Sequence, residues 1–306
     1  MRSVLPVFVV LAAIVALWTG ACIPMNIKLA LSQAERAGMA VVPQEAVRRQ
    51  EMSGFGLAIR NPSIIPAVYA LERPRLPSPA QVARNFRENV FDRKVTSKRS
   101  LVFHGWITLS ATLNGFLLGA AIGIMLAVGV VYSRTMERSV MPWAIISQTI
   151  PIVALAPMII VVVAALGIEG RAVPKAIISA YLCFFPILVG VTAGLRSPDQ
   201  MKLDLLKTYS ASPAQAFWKL RVPSSVPYLF TSLKVGIAAA LVGTIVGELP
   251  TGAVQGLGAR ILIGDQFGTP VQIWSALFAT AILAGVPIAI LGLLQRVVLG
   301  RMGGGR

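Results

Sequence analysis

The sequence predicts an all-α membrane protein with about six transmembrane helices. Of its 306 residues, 56% are hydrophobic and only 13% are charged, and the mean hydropathy is +0.74. A soluble domain carries about 25% charged residues, so this composition indicates a chain that lies in lipid. The lengths of the uncharged runs and the placement of the basic residues indicate the same fold class.

A transmembrane helix needs roughly 20 consecutive apolar residues, and the chain has five uncharged runs of about that length or more when His104 is not counted. These runs are 3–27, 100–133, 139–168, 176–195 and 266–295. A shorter run, 235–247, reaches span length if the Lys234 side chain extends to the interface and Glu248 ends the helix. Together the runs predict six spans.

The basic residues follow the predicted topology and do not form an aromatic-interleaved patch for nucleic acid. With a cytoplasmic N-terminus, the inside segments hold Arg2, Arg134, Arg138, Arg196, Lys202, Lys207, Lys219, Arg221, Lys234, Arg296, Arg301 and Arg306. The short outside loops hold only Arg171, Lys175 and Arg260, balanced by Glu169, Glu248 and Asp265. This asymmetry is the positive-inside pattern, which accounts for the net charge of +16 without a nucleic-acid partner.

The first predicted transmembrane helix covers residues 1–23 and contains the stretch "LWTGAC", which ends at Cys22. This stretch is faintly similar to a lipoprotein cleavage site, but Thr19 stands where a leucine-like residue is expected. We therefore favour an uncleaved helix over a processed leader. Cys22 and Cys183 both fall at or inside spans and offer neither metal-ligand spacing nor an obvious disulfide.

Residues 24–100 form a predicted extracytoplasmic insert with 13 basic and six acidic residues. A segment of over 60 residues is long enough to be exempt from the charge rule. The prolines of the stretch 73–86 predict a stiff approach, followed by a short helix that begins at Ser78 or Pro79. Two interpretations of the insert remain open: it is either a solvated lid or a docking surface for a partner.

Small residues recur at intervals of four in two predicted spans. They are Gly115, Gly119, Gly123 and Ala127 in the second span, and Ala239, Gly243 and Gly247 in the fifth. This spacing puts them on one helix face, where another backbone can approach closely. The pattern predicts a compact helical core within residues 101–300, followed by a cytoplasmic tail at 301–306.

The chain offers little for catalysis, so we expect it not to be an enzyme. His104 is the only histidine and is predicted to be an interfacial residue. No phosphate-binding loop occurs, because the stretch "GLGAR" at 256–260 lacks the lysine and the hydroxyl residue that follows it. No carboxylate pair occurs within a predicted span.

Polar residues within the predicted spans are candidates for a solute pathway, because polar groups at membrane depth usually face a cavity or a partner. The candidates are Gln148, Thr149, Pro151, Thr244 and Glu248. Gln148 and Pro151 are expected to share one face of the third span, where proline frees the carbonyl of Ser147 for a weak solute contact. Glu248 is expected near the outer mouth. The alternative for the stretch 148–157 is a hydrogen bond between helices with a packing kink.

The stretch "LKTYSASPAQAFWKLRVPSSVPYLF", residues 206–230, interrupts two long apolar runs with a basic, helix-capable loop. With its flanks it resembles the "EAA" loop in permease subunits of binding-protein-dependent ABC importers. The matching positions are Asp204-Leu205-Leu206, Lys207-Thr208-Tyr209, Ser210, Ala211-Ser212 and Val222-Pro223. Residues 76–82, 147–160, 184–197 and 226–248 are similar to segments of the nitrate/sulfonate/taurine-type branch, and the resemblance covers roughly 75–300.

The resemblance implies an ABC type I importer permease bundle with a cytoplasmic coupling-helix loop at 196–223. It implies that this loop inserts into an ATPase subunit through Asp204, Leu205, Leu206, Lys207, Thr208, Ser210, Ala211 and Ser212. Leu205 and Leu206 are expected to form an apolar knob surrounded by Lys207, Lys219 and Arg221.

The partners that the resemblance implies are an ABC ATPase dimer, a periplasmic solute-binding protein and either a second copy of the chain or a non-identical permease. ATP and Mg²⁺ would bind to the ATPase, with no cofactor in this chain. The implied location is the bacterial inner membrane, with both termini cytoplasmic. The implied solute is a small anion such as nitrate, a sulfonate or taurine, and the alternative is a heteroaromatic vitamin precursor.

The sequence departs from the family pattern in two places. The loop has aspartate for glutamate, leucines for both alanines, and Ser210 where glycine is usual, and serine adopts a left-handed turn only with strain. The segment 24–73 has no counterpart in the common pattern. Two other classes are alternatives to a permease. One is a secondary transporter or channel, which would need ion-coupling charges and broken-helix inverted repeats, and the other is a membrane-anchored scaffold.

Overall fold

The computed structural model describes residues 4–168, 170–250 and 255–303, and every regular element within them is helical. The helices are α1 Val4–Arg36, α2 Ala46–Glu51, α3 Gly54–Arg60, α4 Ile65–Val68, α5 Pro79–Val90, α6 Leu101–Tyr132, α7 Arg134–Thr149, α8 Ile152–Ala165, α9 Ala172–Leu195, α10 Gln200–Thr208, α11 Pro213–Ala216, α12 Val222–Glu248, α13 Leu257–Gln266 and α14 Pro270–Arg301. A 3-10 turn, Pro62–Ile64, precedes α4, and a π-helical turn, Phe217–Arg221, joins α11 to α12. Arg2, Glu169 and the end of the predicted tail, 304–306, lie outside the described residues.

Within the described ranges, five helical segments are long and apolar enough to cross a membrane, namely α1, α6, α9, α11 through α12, and α14. The pair α7 and α8 also passes this test when taken together, although the two helices are bent by 103° at the break between them. By length and composition, the described residues therefore contain five candidate spans, or six if the bent pair counts as one. The predicted fold class is confirmed.

Two predicted boundaries differ from the structure. The first helix extends past residue 23 to Arg36, because Ile27, Ala30 and Leu31 on this extension are buried in a hydrophobic cluster with the insert. The third span is broken, because α7 ends at Thr149 and Pro151 has extended backbone at the start of α8.

The chain divides into two compact units, the first of which comprises residues 1–102 and 260–278. This division puts the first helix and the insert in one unit, whereas the sequence pattern predicts them as separate segments. Asn26 of α1 holds the insert by donating to the carbonyl of Leu76 at 2.7 Å and accepting from its N–H at 3.1 Å. Gly54 allows the start of α3 to lie directly against the Pro24 carbonyl, a space that a Cβ atom would fill.

The other elements of the first unit are joined by aromatic and capping contacts. Trp18 of α1 lies 4.8 Å from Trp274, measured between ring centroids, and stacks on Phe278 at 5.9 Å. The predicted helix start at Ser78 is confirmed, because Ser78 caps α5 in a reciprocal pair of hydrogen bonds with Gln81. Such a capping box fixes where the helix begins.

The second unit comprises residues 103–259 and 279–306, and α9 packs between α6 and α12. A Cβ atom on Gly115 would lie 2.7 Å from the Ala176 carbonyl, and one on Gly119 would lie 2.7 Å from the Ala180 carbonyl. On the other side of α9, a Cβ on Gly243 would lie 2.9 Å from the Cα of Ser179. Both predicted small-residue faces therefore permit close backbone contact, as expected.

Gly119→Ala is expected to destabilise the protein by about 1–3 kcal/mol, because a new methyl group in a closely packed seam forces backbone shifts. Gly285→Ala in α14 is the matched control, since nothing lies within 4 Å of its added Cβ. Thermal unfolding of the purified chain in detergent measures both variants. Equal unfolding midpoints for the two variants would contradict the close packing of α6 against α9.

Candidate functional site

The predicted coupling loop joins α9 to α12 and contains two short helices at an angle set by Ser210. Ser210 has a φ of 53°, so it occupies the left-handed region in which glycine is favoured. The next helix starts at once, because Ser212 and Gln215 form a capping box with Pro213 at the first helical position. The serine that departs from the family pattern therefore keeps a left-handed turn.

The charged residues of α10 are paired along the helix surface. Lys207 Nζ lies 2.8 Å from Asp204 Oδ1, and Gln200 donates to the same oxygen at 3.1 Å. The hydrogen bond from Lys207 lowers the pKa of the Asp204 carboxyl below its ordinary value. Asp204 is thus ionised at neutral pH, and its charge is locally compensated by Lys207.

An exposed apolar stripe runs along α10 and is formed by Met201, Leu205 and Tyr209, which are 77%, 54% and 75% exposed. Four-residue spacing places these three side chains on one helix face. Leu206 does not belong to this stripe, because it lines a cavity of about 300 Å³ between the loop and Tyr132 at the end of α6. Leu205 is therefore exposed whereas Leu206 is half-buried, and the apolar knob that the two residues are expected to form stays a prediction.

The loop is tied to the ends of the long helices of its own unit. Arg221 Nη1 donates to the Leu195 carbonyl at 2.8 Å, which links the end of the π-helical turn to the end of α9. Arg196 pairs with Glu137 of α7 at 2.9 Å. A displacement of the loop would therefore be transmitted to α7 and α9 through these contacts.

The break between α7 and α8 changes the predicted geometry of the solute pathway. Gln148 is half-buried in the last turn of α7, whereas Thr149 and Pro151 are exposed. Gln148 and Pro151 do not share a helix face, because Ile150 and Pro151 are extended and the helix axis turns there. The Ser147 carbonyl is not free either, since the Tyr181 hydroxyl donates to it.

Thr244 and Glu248 are fully buried, so neither faces a cavity as the sequence analysis expected. Thr244 donates to the Ala240 carbonyl, and its hydroxyl lies 3.0 Å from that of Thr112. Glu248 ends α12 and forms a buried ion pair with Lys175, with 3.1 Å between Nζ and Oε1. Both residues are therefore packed among other helices of the chain in this conformation, and their role in the solute pathway stays a prediction.

The polar network around Glu248 contains residues that sequence reasoning misplaced. Lys175 was assigned to an outside loop but lies in the first turn of α9, with its side chain 5% exposed. His104 was assigned to the interface but is buried, and its Nδ1 accepts from the Gly256 N–H at 2.9 Å. Thr108 donates to Glu248 at 3.0 Å. The sequence feature that could have indicated this network is the pair of opposite charges, Lys175 and Glu248, at the ends of neighbouring spans.

An open groove of about 720 Å³ lies between α9 and α12, on the two helices that flank the coupling loop. Its walls are largely apolar, with Phe185, Pro186 and Val189 from α9. Tyr228 and Thr231 of α12 add hydroxyl groups. No local sequence pattern predicts this groove, because its lining comes from two separate spans.

Residues 119–304 match the family model described as the binding-protein-dependent transport system inner membrane component. The chain belongs to this family. It is therefore an ABC importer permease, a multi-pass protein of the inner membrane, and its family consists of transport subunits. The predicted family is confirmed.

Several known proteins are similar to this chain. The formylaminopyrimidine transport permease of Halalkalibacterium halodurans is 32% identical over 73% of this chain and 84% of its own length. The riboflavin transport permease of Chloroflexus aurantiacus is 34% identical, with 73% and 79% covered. The nitrate import permease of Synechocystis sp. is 28% identical, with 73% and 77% covered.

The fold also matches a solved structure. A chain in the inward-facing structure of the MetNI methionine ABC transporter aligns with a TM-score of 0.52 at 19% identity. The alignment covers 66% of this chain and 95% of that one. At this identity the match supports the fold alone, which is the type I importer permease fold.

Proposed function

We propose that this chain is the membrane subunit of an ATP-driven importer and carries a small anion of the nitrate, sulfonate or taurine type. The solute would arrive from a periplasmic binding protein. An ATPase dimer with bound ATP and Mg²⁺ would supply the energy, and a second permease, identical or not, would complete the pathway. In this assignment the chain itself is non-catalytic.

The exposed stripe of Met201, Leu205 and Tyr209 is the observation that carries the proposal. Three large apolar side chains on one face of a short polar helix are unfavourable in water, so this face fits a protein groove better than solvent. Lys207, Thr208, Ala211 and Ser212 are the other contact residues that the resemblance implies, and they would complete the contact from the rest of the loop. An ATPase subunit docked there would move α7 and α9 through the loop contacts described above, as rigid-body switching requires.

Copurification of the chain with an ATPase tests this proposal directly. We expect a stable complex that hydrolyses ATP and is stimulated by a solute-loaded binding protein. A chain that purifies without any ATPase from its native membrane would contradict the proposal. Analysis of the intact complex by mass would also distinguish two copies of this permease from a non-identical pair.

Different relatives support the two candidate solutes, a small anion and a heteroaromatic compound. Similarity of several sequence segments to nitrate- and sulfonate-type permeases, together with the nitrate import relative, favours an anion. The formylaminopyrimidine and riboflavin permease relatives favour a heteroaromatic compound instead. Binding of taurine, nitrate and riboflavin to the cognate binding protein would separate the two.

The orientation can be tested with single cysteines at two exposed positions, Gln50→Cys in the insert and Ser212→Cys in the coupling loop. We expect a membrane-impermeant maleimide to label residue 50 from outside intact cells and residue 212 only after permeabilisation. The positive-inside distribution of basic residues is the physical reason. The reverse labelling pattern would show that the predicted orientation is inverted.

Gln148, Thr149 and Pro151, at the break between α7 and α8, remain our proposed pathway residues. Gln148→Leu is expected to reduce uptake and stimulated ATPase activity several-fold without lowering assembly, because it removes the amide beside the break. Gln148→Trp should block uptake more strongly. Ile146→Trp is the matched control, since residues two apart on a helix do not share a face. Normal uptake by both Gln148 variants would assign this residue to packing.

A further inference from the structure

Residues 255–258, which we call the strap, are held by side chains through their backbone groups. Each of the four contributes one polar backbone group, and the side chains come from α6, α9 and α12. The contacts are Lys175 Nζ to the Gln255 carbonyl at 3.3 Å, Gly256 N–H to His104 at 2.9 Å, Leu257 N–H to Thr108 at 2.9 Å and Gly258 N–H to Glu248 at 2.8 Å. The strap is therefore held to these helices by hydrogen bonds between its backbone groups and their side chains.

The strap depends on glycine for its close approach to Glu248. Gly256 has a φ of 124°, and an added Cβ would overlap the Glu248 carboxylate. A Cβ on Gly258 would lie 2.7 Å from the Ile245 carbonyl and 2.9 Å from Cβ of Glu248. The Glu248 carboxylate thus lies directly against the glycine backbone of the strap. This close approach places the side chains of Glu248 and Lys175 in contact with the strap.

Stability alone does not explain why a buried ion pair lies beneath the strap. Lys175 and Glu248 are 5% and 0% exposed at their side chains, and an apolar pair of similar volume often stabilises a protein equally well or better. Ionisable residues in spanning helices usually mark a functional element. Hydrogen bonds can be exchanged for bonds to water at a small net cost, whereas opening an apolar seam exposes hydrophobic area to water and costs more.

We propose that the strap closes the extracytoplasmic end of the second unit and that Lys175 and Glu248 are the positioning residues that hold it closed. This inference rests on the function and the orientation proposed above. When the helices rock to the outward-facing state, the strap would leave its four side chains. Lys175 and Glu248 would then be hydrated and remain paired with each other, so neither charge would be left alone in an apolar site.

The test uses Leu257→Cys, since Leu257 belongs to the strap and its side chain is fully buried in the closed state. The full complex with its ATPase is placed in proteoliposomes, and labelling by a membrane-impermeant maleimide is timed. We expect slow labelling without nucleotide and labelling about 10-fold faster after trapping with ATP, Mg²⁺ and orthovanadate. Cys22 and Cys183 are buried, so the parent chain supplies the background rate. Equal rates in the two states would overturn the proposal.

A second arm adds Glu248→Gln to Leu257→Cys and is measured in native membranes, where it needs no ATPase. We expect labelling at least 5-fold faster than with Leu257→Cys alone, because the anchor for Gly258 and Lys175 is weakened. Glu137→Gln, which breaks the half-exposed pair with Arg196, is the control and should leave the rate unchanged. A rate unaffected by Glu248→Gln, or raised equally by Glu137→Gln, would overturn the proposal.

The two arms also separate this inference from the proposed function. If no ATPase copurifies, the proposed function fails while the second arm still reports on the strap. If the Glu248→Gln chain does not accumulate in the membrane, the nucleotide comparison decides, because it leaves the polar network unchanged.

Discussion

Leu205→Asp is expected to abolish copurification of the ATPase while the permease still accumulates in the membrane. Leu205 is the central residue of the exposed stripe on α10, and central apolar anchors carry about 2 kcal/mol or more of an interface. The aspartate also places an unpaired charge in the contact, close to Asp204. We expect the yield of bound ATPase to fall at least about 30-fold, which corresponds to roughly 2 kcal/mol.

Leu205→Met is the matched control for this experiment, because it keeps the apolar surface and should retain the ATPase. Leu206→Asp would be a poor substitute, since Leu206 lines the cavity between the loop and Tyr132 and its replacement would disturb the loop itself. Quantification of the ATPase against the permease in the purified complex gives the result. Normal ATPase yield with Leu205→Asp would show that α10 does not dock through this stripe.

Lys175→Met is expected to destabilise the chain by about 3–5 kcal/mol, because it leaves the buried Glu248 carboxylate without its counter-charge. The double variant Lys175→Met with Glu248→Gln should recover most of this loss. In that variant no charge is buried, and the amide oxygen of Gln can still accept from the Gly258 N–H. Thermal or denaturant unfolding of the purified chains in detergent measures both.

The half-exposed pair Glu137–Arg196 is the matched comparison for the buried pair. Glu137→Gln should cost less than about 1 kcal/mol, because exposed ion pairs contribute little. If Lys175→Met is as stable as the parent chain, the carboxylate is solvated and the network is not buried. If the double variant is no better than the single one, the two charges are not coupled.

Local sequence features predicted the architecture well. Uncharged runs and basic flanks predict the spans from length and solvation alone. Ser78 before Pro79 predicts a helix start, because capping involves residues only a few positions apart. The glycine spacing in the second and fifth spans predicts two closely packing faces, and both pack against α9.

The site was predicted less completely, for identifiable reasons. Leu205 and Leu206 are adjacent and equally apolar, so only the path of the loop determines which of them is exposed. Proline at 151 predicts a bend. It does not predict that the hydroxyl of Tyr181, which is 34 positions from Ser147, donates to the Ser147 carbonyl. Composition alone does not reveal a partner so distant along the chain.

By itself the sequence determined the fold class, the family and the position of the short-helix loop between α9 and α12, because these depend on run length, local capping and ordered short motifs. Only the tertiary structure decided which polar residues are buried together. Lys175 and Glu248 are 73 positions apart, and Thr108 and Glu248 are 140 apart. An ion pair in a low-dielectric interior requires both charges within a few ångströms, and that proximity arises only when α6, α9 and α12 pack against one another.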